Sequence, residues 1–557
     1  MALTNFRDEQ PTAERRKVNC PFTLKGAPLV ERCLAYEADR SEPGGARQRS
    51  TFASGNNRPF NSIGRKKIFA MNPIETLKRP DLLREQCFVG GRWVKADTTV
   101  DVEDKATGER IGRVPFFGTE ETKQAIDQAH QALPGWRAKT PVQRSALLRK
   151  WFDLITANAG DLAKLTTAES GKPLKEAEGE AAYAASYVEW YAEEAKRIYG
   201  DVIPNANPDQ RIVVIKQGVG VCAAITPWNF PLAMITRKVG PALAAGCTIV
   251  VKPATETPLS ALALAALAEE AGFPPGTVNV LTGDEVAIGK ELTGNPDVRK
   301  VSFTGSTPVG KLIVKQSADT LKKVTMELGG NAPFIVFADA DVDKAVQGAI
   351  AAKYRNAGQT CICTNRFLIH SRLFDEFTDK FSKQVARLKV GSGFEPGVDI
   401  GPLISQEAVD KTRSFIADAT EKGAEVTIGG RPHSLGPLFF EPTVITKATP
   451  KMRFFQEEIF GPVSPLYSFE DESEAIELAN STPYGLSSYA YGRDIGRIWR
   501  VAEALDFGMV GVNTGLISNV MAPFGGVKES GYGREGSKYG LDDYMAIKYI
   551  CLAGIES

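Results

Sequence analysis

The chain has 557 residues, 43% hydrophobic and 24% charged, a globular balance over a length that predicts roughly two to four domains. Lys+Arg and Asp+Glu are both 67, so there is no basic excess to release counterions from a nucleic acid or to draw the chain onto an anionic membrane. The most apolar runs, 244–251 and 261–268, fall well short of the roughly 20 residues of a membrane helix.

The first 70 residues mix Pro, Gly, Arg and Ser without a helical or strand period, and carry thirteen Lys/Arg and seven Asp/Glu. The favoured reading is upstream sequence before a natural start at Met71. A mitochondrial transit peptide is the alternative, and the acids count against it. From Met71 the sequence reads as a helix and then a hairpin. Helical spacing covers 119–133, 145–157 and 176–199, and a hairpin is expected over Gly200–Lys216. Strands at 219–226, 248–251, 278–281 and 301–303 then alternate with helices that open at Pro231, span 258–271 and begin near Val309. This rhythm predicts a parallel sheet with helices on both faces. A second such series runs from Pro333 to about Val512, and a last strand lies near 544–552.

Eight cysteines spread over this length make no disulfide framework, and His130, His370 and His433 are the only histidines. No metal site is expected. With histidine so scarce, a cysteine nucleophile would need a carboxylate as its base.

Several residues fit such chemistry. "FTGSTPVG" (303–310) is a strand, a Gly-rich turn and a helix start, able to receive a phosphate on backbone N–H groups; an ordinary strand-to-helix turn reads the same way. Lys252 ends a strand where open α/β sheets bind ligands, although a solvated lysine also suits that place. Glu327 lies among apolar residues at another strand end, costly unless paired or functional. Cys361 sits in the polar loop "GQTC", with a buried inert cysteine as the bland alternative. The Asn229 amide in "PWNFP" can stabilise an oxyanion or simply form a turn.

"PWNFP", "FTGS", "MELGG", "GQTC", "EEIFGP" and "PFGGVKESG" occur here in the order in which the aldehyde dehydrogenase superfamily carries them, a resemblance running from about Met71 to the C terminus. "MITRKVGPALAAGC", "YRNAGQTCICTNR", "TGLISNV" and "GREGSKYGLDDY" resemble the branch acting on succinate semialdehyde. The resemblance implies an α/β, aldehyde dehydrogenase-like fold with a Rossmann-type cofactor domain (71–199 and 217–328). A second α/β catalytic domain (329–540) and a small β oligomerisation element (200–216 and 541–557) complete it, in a homodimer or homotetramer.

It also implies roles. Cys361 attacks the aldehyde, Asn229 and the Cys361 N–H hold the oxyanion, and Glu327 activates the water that hydrolyses the thioester. Trp228, Lys252, Pro253, Ala254, Thr255, Gly305, Ser306, Leu328, Glu458 and Phe460 match cofactor-contacting positions. Thr255 stands where NAD-preferring relatives often carry Glu, so NADP is expected to be accepted and preferred, with NAD also usable; Glu256 is the neighbouring acid. Arg237, Arg355 and Ser518 match positions that clamp a distal carboxylate, while a structural ion pair for Arg237 and a helix-end charge for Arg355 are the ordinary readings. Cys363, two residues from Cys361, is either a reversible redox partner or a core-facing strand residue.

The activity the resemblance implies is oxidation of succinate semialdehyde to succinate through a cysteine thiohemiacetal and thioester, in the cytoplasm, or in the mitochondrial matrix if residues 1–70 are a transit peptide. Glutarate semialdehyde is the rival substrate, since one methylene changes binding by only about 1–3 kcal/mol. A cofactor-free cysteine hydrolase or acyltransferase would leave Lys252, "FTGS" and Glu458 unexplained, and a non-catalytic binding protein would be expected to carry damaged motifs.

Overall fold

A computed structural model describes residues 73–555; the expectations for residues 1–70 lie outside them. Short runs of Val, Ile and Ala bounded by Gly and Pro become the strands of an eight-stranded sheet. From edge to edge it consists of Gly531–Tyr532, Lys323–Glu327, Val298–Thr304, Val221–Ile225, Thr248–Lys252, Val278–Val280, Cys87–Val89 and Arg92–Val94. The five strands from Lys323–Glu327 to Val278–Val280 pair in parallel, and the outer ones are antiparallel.

Side-chain alternation decides which helices cover each face. Cys222, Ala224, Ile249 and Val251 share one core with the helices Ala233–Ala244 and Pro258–Ala271. Val221, Ala223 and Val250 share the other with Thr119–Arg137 and Glu285–Gly294. Both faces are dry, which is why these strands read as unbroken apolar runs.

A seven-stranded sheet follows in the order Glu425–Ile428, Thr443–Thr446, Val463–Phe469, Thr364–His370, Ala332–Val336, Ser487–Tyr491 and Met509–Val512. All its pairings are parallel except that of Glu425–Ile428. Its core holds Phe334, Phe367, Leu466 and Tyr489. A third sheet joins Met545–Leu552 to Arg211–Gly218 over eight antiparallel residue pairs, with Asp201–Ile203 on the far side. Among the described residues no helix is long and apolar enough to cross a membrane.

Local departures from the sequence expectations have physical reasons. The helix expected from Pro231 starts at Ala233, after a turn through Pro231 and Leu232. The one expected from Val309 starts at Thr307, with Pro308 in its first turn, where a missing N–H costs nothing. The helix 176–199 ends at Glu194 and tightens into a single 3-10 turn, Ala195–Arg197. The helix before Cys361 stops at Tyr354, because Asn356, Ala357 and Gly358 adopt left-handed φ values of 52°, 55° and 77°.

Those three residues turn the chain sharply toward Cys361. At Gly358 a Cβ would lie 2.3 Å from the Gly461 carbonyl oxygen, so both conformation and space demand glycine. Gly358→Ala is therefore expected to destabilise the fold by about 1–3 kcal/mol and to lower activity beyond the stability loss; a thermal melt unchanged from wild type would contradict this.

Candidate active site

Ligands of open α/β sheets gather beyond the carboxyl ends of the strands, and the chemistry-bearing residues collect there. Strand Val221–Ile225 feeds the "PWNFP" loop, Thr248–Lys252 ends on Lys252, Val298–Thr304 leads into Gly305, and Lys323–Glu327 ends on Glu327. The register sets Thr304 beside Glu327 and Ile225 beside Lys252. Facing them is the loop before Thr364–His370, the strand at the middle of the second sheet, which carries Cys361.

The two halves touch at the loop backbones. Asn229 Nδ2 donates to the Gln359 carbonyl at 3.1 Å, and Asn356 Nδ2 donates to the Asn229 carbonyl at 3.2 Å. Asn229 is 3% exposed and its Oδ1 has no partner. Its loop is held from behind by two residues the sequence reading missed. Buried Lys172 pairs with buried Glu180, donates to the Asn229 carbonyl at 2.7 Å and lies over the Phe230 ring at 3.9 Å. Glu180 accepts from Leu232 N at 2.9 Å. A buried pair of this kind persists only when its remaining hydrogen bonds are satisfied, and here they fix the backbone that aims the Asn229 amide.

Cys361 packs against Ile362, Leu486 and Phe524. Burial pushes its thiol up to about 12; Arg237 and Arg355 pull it down, and Glu458 and Glu327 push it further up. The sulfur is thus a neutral thiol in the resting protein. Glu327 is 3% exposed, and neither carboxyl oxygen has a hydrogen-bond partner. Burial, reinforced by Glu535, drives its pKa well above the ordinary carboxylate value against the pull of Arg237, Lys238 and Arg534. Its Oε1 lies against Gly525, where a Cβ would come within 2.9 Å. Glu458 accepts from Gly330 N at 2.9 Å and is raised by burial to about 7. Phe460, in a left-handed conformation at φ 52°, meets Trp228 edge-on at 5.6 Å.

Arg237 is 2% exposed. Its Nε touches Glu535 Oε2 off the hydrogen-bond line, and its Nη2 has no partner. It lies 4.0 Å over the Phe524 ring. The ion pair considered as the ordinary reading is therefore present, and the guanidinium still keeps an unspent donor. Glu535 also pairs with Lys238, whose Nζ donates to Thr304 Oγ1 at 2.6 Å. Arg355 caps the end of its helix and faces the Phe230 ring at 5.1 Å; Ser518 is half-buried in the loop after Met509–Val512. Cys363 Sγ faces the Lys353 carbonyl at 3.2 Å, and both it and Cys361 are free thiols, so here the sulfur of Cys363 faces the core.

The residues at the first sheet suit a dinucleotide. Ser306 precedes the helix Thr307–Ser317 without capping it, leaving N–H groups at that end open to an anion. At Gly305 a Cβ would lie 2.4 Å from the Phe303 ring, and Leu328 closes against Gly310. Lys252 is buried to its tip, Pro253 and Ala254 are buried, and Thr255 is partly exposed. Oriented backbone donors, a cation and glycine-only approach suit a pyrophosphate and ribose. Among the described residues no cluster of three His, Cys, Asp or Glu could hold a metal.

Residues 93–550 match the model of the aldehyde dehydrogenase family, and the chain belongs to that family. It is 58% identical over 481 residues to the glutarate-semialdehyde dehydrogenase of Pseudomonas aeruginosa, covering 86% of this chain and all of that one. It is 55% identical over 478 residues to the succinate-semialdehyde dehydrogenase (NADP(+)) GabD of Escherichia coli, covering 86% and 99%. The crystal structure of succinate-semialdehyde dehydrogenase from Burkholderia pseudomallei superposes with a TM-score of 0.85 at 61% identity, over 86% of this chain and 100% of that one.

A thiol raised to about 12 reacts in proportion to its small thiolate fraction. Carbamidomethylation of Cys361 by iodoacetamide, followed by peptide mass spectrometry, is expected to accelerate roughly tenfold per pH unit from pH 7 to 9. A rate that levels off below pH 8 would contradict the neutral resting thiol.

Proposed function

We propose that the protein oxidises succinate semialdehyde to succinate with NADP or NAD. The observation that carries this reading is a buried arginine, Arg237, with an unpartnered Nη2 in the electrostatic surroundings of the Cys361 thiol, which Arg355 also influences. An arginine fork suits a carboxylate, and an aldehyde whose far end is anionic would bring its carbonyl to the sulfur. The names of the two relatives support a semialdehyde, and the name of the Escherichia coli relative supports NADP. Thr255 leaves no carboxylate at its own position to repel a 2′-phosphate.

In this reading Glu327 first gives up its own proton to solvent, and as the carboxylate it takes the proton of the Cys361 thiol. The thiolate adds to the aldehyde carbon, and the resulting oxyanion is held by the second N–H of the Asn229 amide and the Cys361 backbone N–H. A nicotinamide dinucleotide bound over the first sheet supplies the hydride acceptor, with Trp228, Lys252, Pro253, Ala254, Thr255, Gly305, Ser306 and Leu328 as its contacts and Glu458 and Phe460 at the nicotinamide end. After the carbon has lost its hydride, Cys361 carries a thioester. Once it has passed the thiol proton to solvent, Glu327 deprotonates the water that hydrolyses this thioester, releasing the carboxylate and restoring the thiol. Burial raises both groups, so little thiolate forms at rest, and the developing charge is met by the Asn229 amide and the Cys361 backbone N–H.

The segments 71–199 and 217–328 would hold the cofactor and 329–540 the nucleophile. Segments 200–216 and 541–557 would join copies of the chain, a reading supported by Val202, Ile547 and Tyr549, which are 76%, 74% and 60% exposed on the third sheet. The six free cysteines of the described residues support a reducing compartment such as the cytoplasm; the mitochondrial alternative rests on residues 1–70.

Initial rates with succinate semialdehyde, glutarate semialdehyde and butanal test the assignment. Losing a charged hydrogen bond costs about 1.5–3 kcal/mol, so Arg355→Ala and Arg237→Gln are each expected to lower kcat/KM for the semialdehydes roughly ten- to hundredfold more than for butanal, whose own smaller loss reports the pull of these charges on the Cys361 thiol. Equal losses for all three aldehydes would remove the carboxylate clamp. A wild-type preference for glutarate semialdehyde would move the assignment to the five-carbon substrate.

A further inference from the structure

Lys252 and Thr255, proposed above as contacts of the dinucleotide, are already engaged by an acid. Lys252 Nζ donates to Glu285 Oε1 at 2.6 Å, and Thr255 Oγ1 donates to the same oxygen at 2.7 Å. The lysine side chain is 5% exposed and the glutamate 60%. Glu285 opens the helix Glu285–Gly294, but it does not serve as that helix's cap: Asp284 does, accepting from Val286 N at 2.9 Å and Ala287 N at 3.0 Å. The Glu285 side chain instead reaches across from the end of Val278–Val280 to the end of Thr248–Lys252, the neighbouring parallel strand. Although burial pushes its carboxyl up, the Lys252 charge and the hydrogen bonds from Lys252 and Thr255 hold it below the ordinary value, so it is ionised at neutral pH.

We propose that Glu285 is the residue that sets the balance between the two dinucleotides, competing with a 2′-phosphate for Lys252 and Thr255. The inference rests on the dinucleotide reading of this strand end. A 2′-hydroxyl accepts from Lys252 and donates to Glu285, so the acid stays where it is and every group finds a partner. A 2′-phosphate has no proton to give the carboxylate at neutral pH and must displace it, because like charges on a shared lysine repel. Displacement is feasible because the Glu285 side chain is 60% exposed and can swing into solvent while Lys252, 5% exposed, stays in place. Thr255 can donate to a 2′-phosphate only after Glu285 has released its hydroxyl, so residue 255 permits NADP while Glu285 controls how tightly it binds.

Binding, rather than turnover, tests this. Calorimetric dissociation constants for NADP, NAD, 2′,5′-ADP and 5′-ADP would be measured on wild type, Glu285→Gln and Glu285→Lys, with melts confirming that each variant is folded. Glu285→Gln is expected to tighten NADP and 2′,5′-ADP about tenfold relative to NAD and 5′-ADP, and Glu285→Lys further, with the gain shrinking as salt is raised. Ratios within about twofold of wild type in both folded variants would overturn the inference and leave the dehydrogenase assignment standing. If wild type bound neither dinucleotide, that assignment would fall, and this inference with it.

Discussion

A carboxyl group buried with no hydrogen-bond partner is the constraint on which the site turns. Glu327 sits at the end of a central strand, 3% exposed, with both oxygens unsatisfied. Burying an ionised carboxylate in such a place is costly, so its pKa is driven well above the ordinary carboxylate value. Cys361 is kept protonated by the same low-dielectric surroundings. In the proposed reaction, charge would therefore develop beside Asn229 and Arg237. Burial thus connects the fold to the chemistry: the sheet that excludes water also sets the protonation states.

The cations around this pocket are fixed just as firmly. Glu535 pairs with both Arg237 and Lys238, and its carboxyl is held below the ordinary value: burial would raise it, but the charges of Arg237 and Lys238 prevail. One acid therefore holds two buried bases in place while leaving an Arg237 nitrogen unspent. On the opposite wall, Lys172 and Glu180 do the corresponding work for the "PWNFP" loop, tying its backbone to a long helix. The reacting groups stay mobile in protonation because their neighbours are immobile in position.

Much of this was legible in the sequence where the cause is local. The run "TIVVK" is a buried parallel strand ending in a lysine, and the helix 258–271 lies where Pro258 and the following Leu and Ala residues place it. The left-handed turn at Asn356–Gly358 was not legible, because Asn and Ala reach positive φ only when tertiary contacts hold them there. Glu535 and Glu285 escaped for a different reason. Their partners lie 297 and 33 residues away in the chain, and an acid in "GREGS" or "TGDEV" reads as surface until the fold brings a lysine to it. Cys363 shows the limit of spacing alone: two residues from Cys361 in sequence, its sulfur faces the Lys353 carbonyl.

In the proposed reaction a carbon–sulfur bond forms at Cys361 before product is released. Rapid acid quench of wild type and Glu327→Gln, mixed with succinate semialdehyde and NADP, followed by peptide mass spectrometry, reads that bond directly. The account predicts an acyl adduct on Cys361 that appears with the first equivalent of reduced nicotinamide, passes quickly in wild type and persists in Glu327→Gln. Reduced nicotinamide formed with no adduct on Cys361 in either protein, together with undiminished turnover in Cys361→Ala, would contradict it.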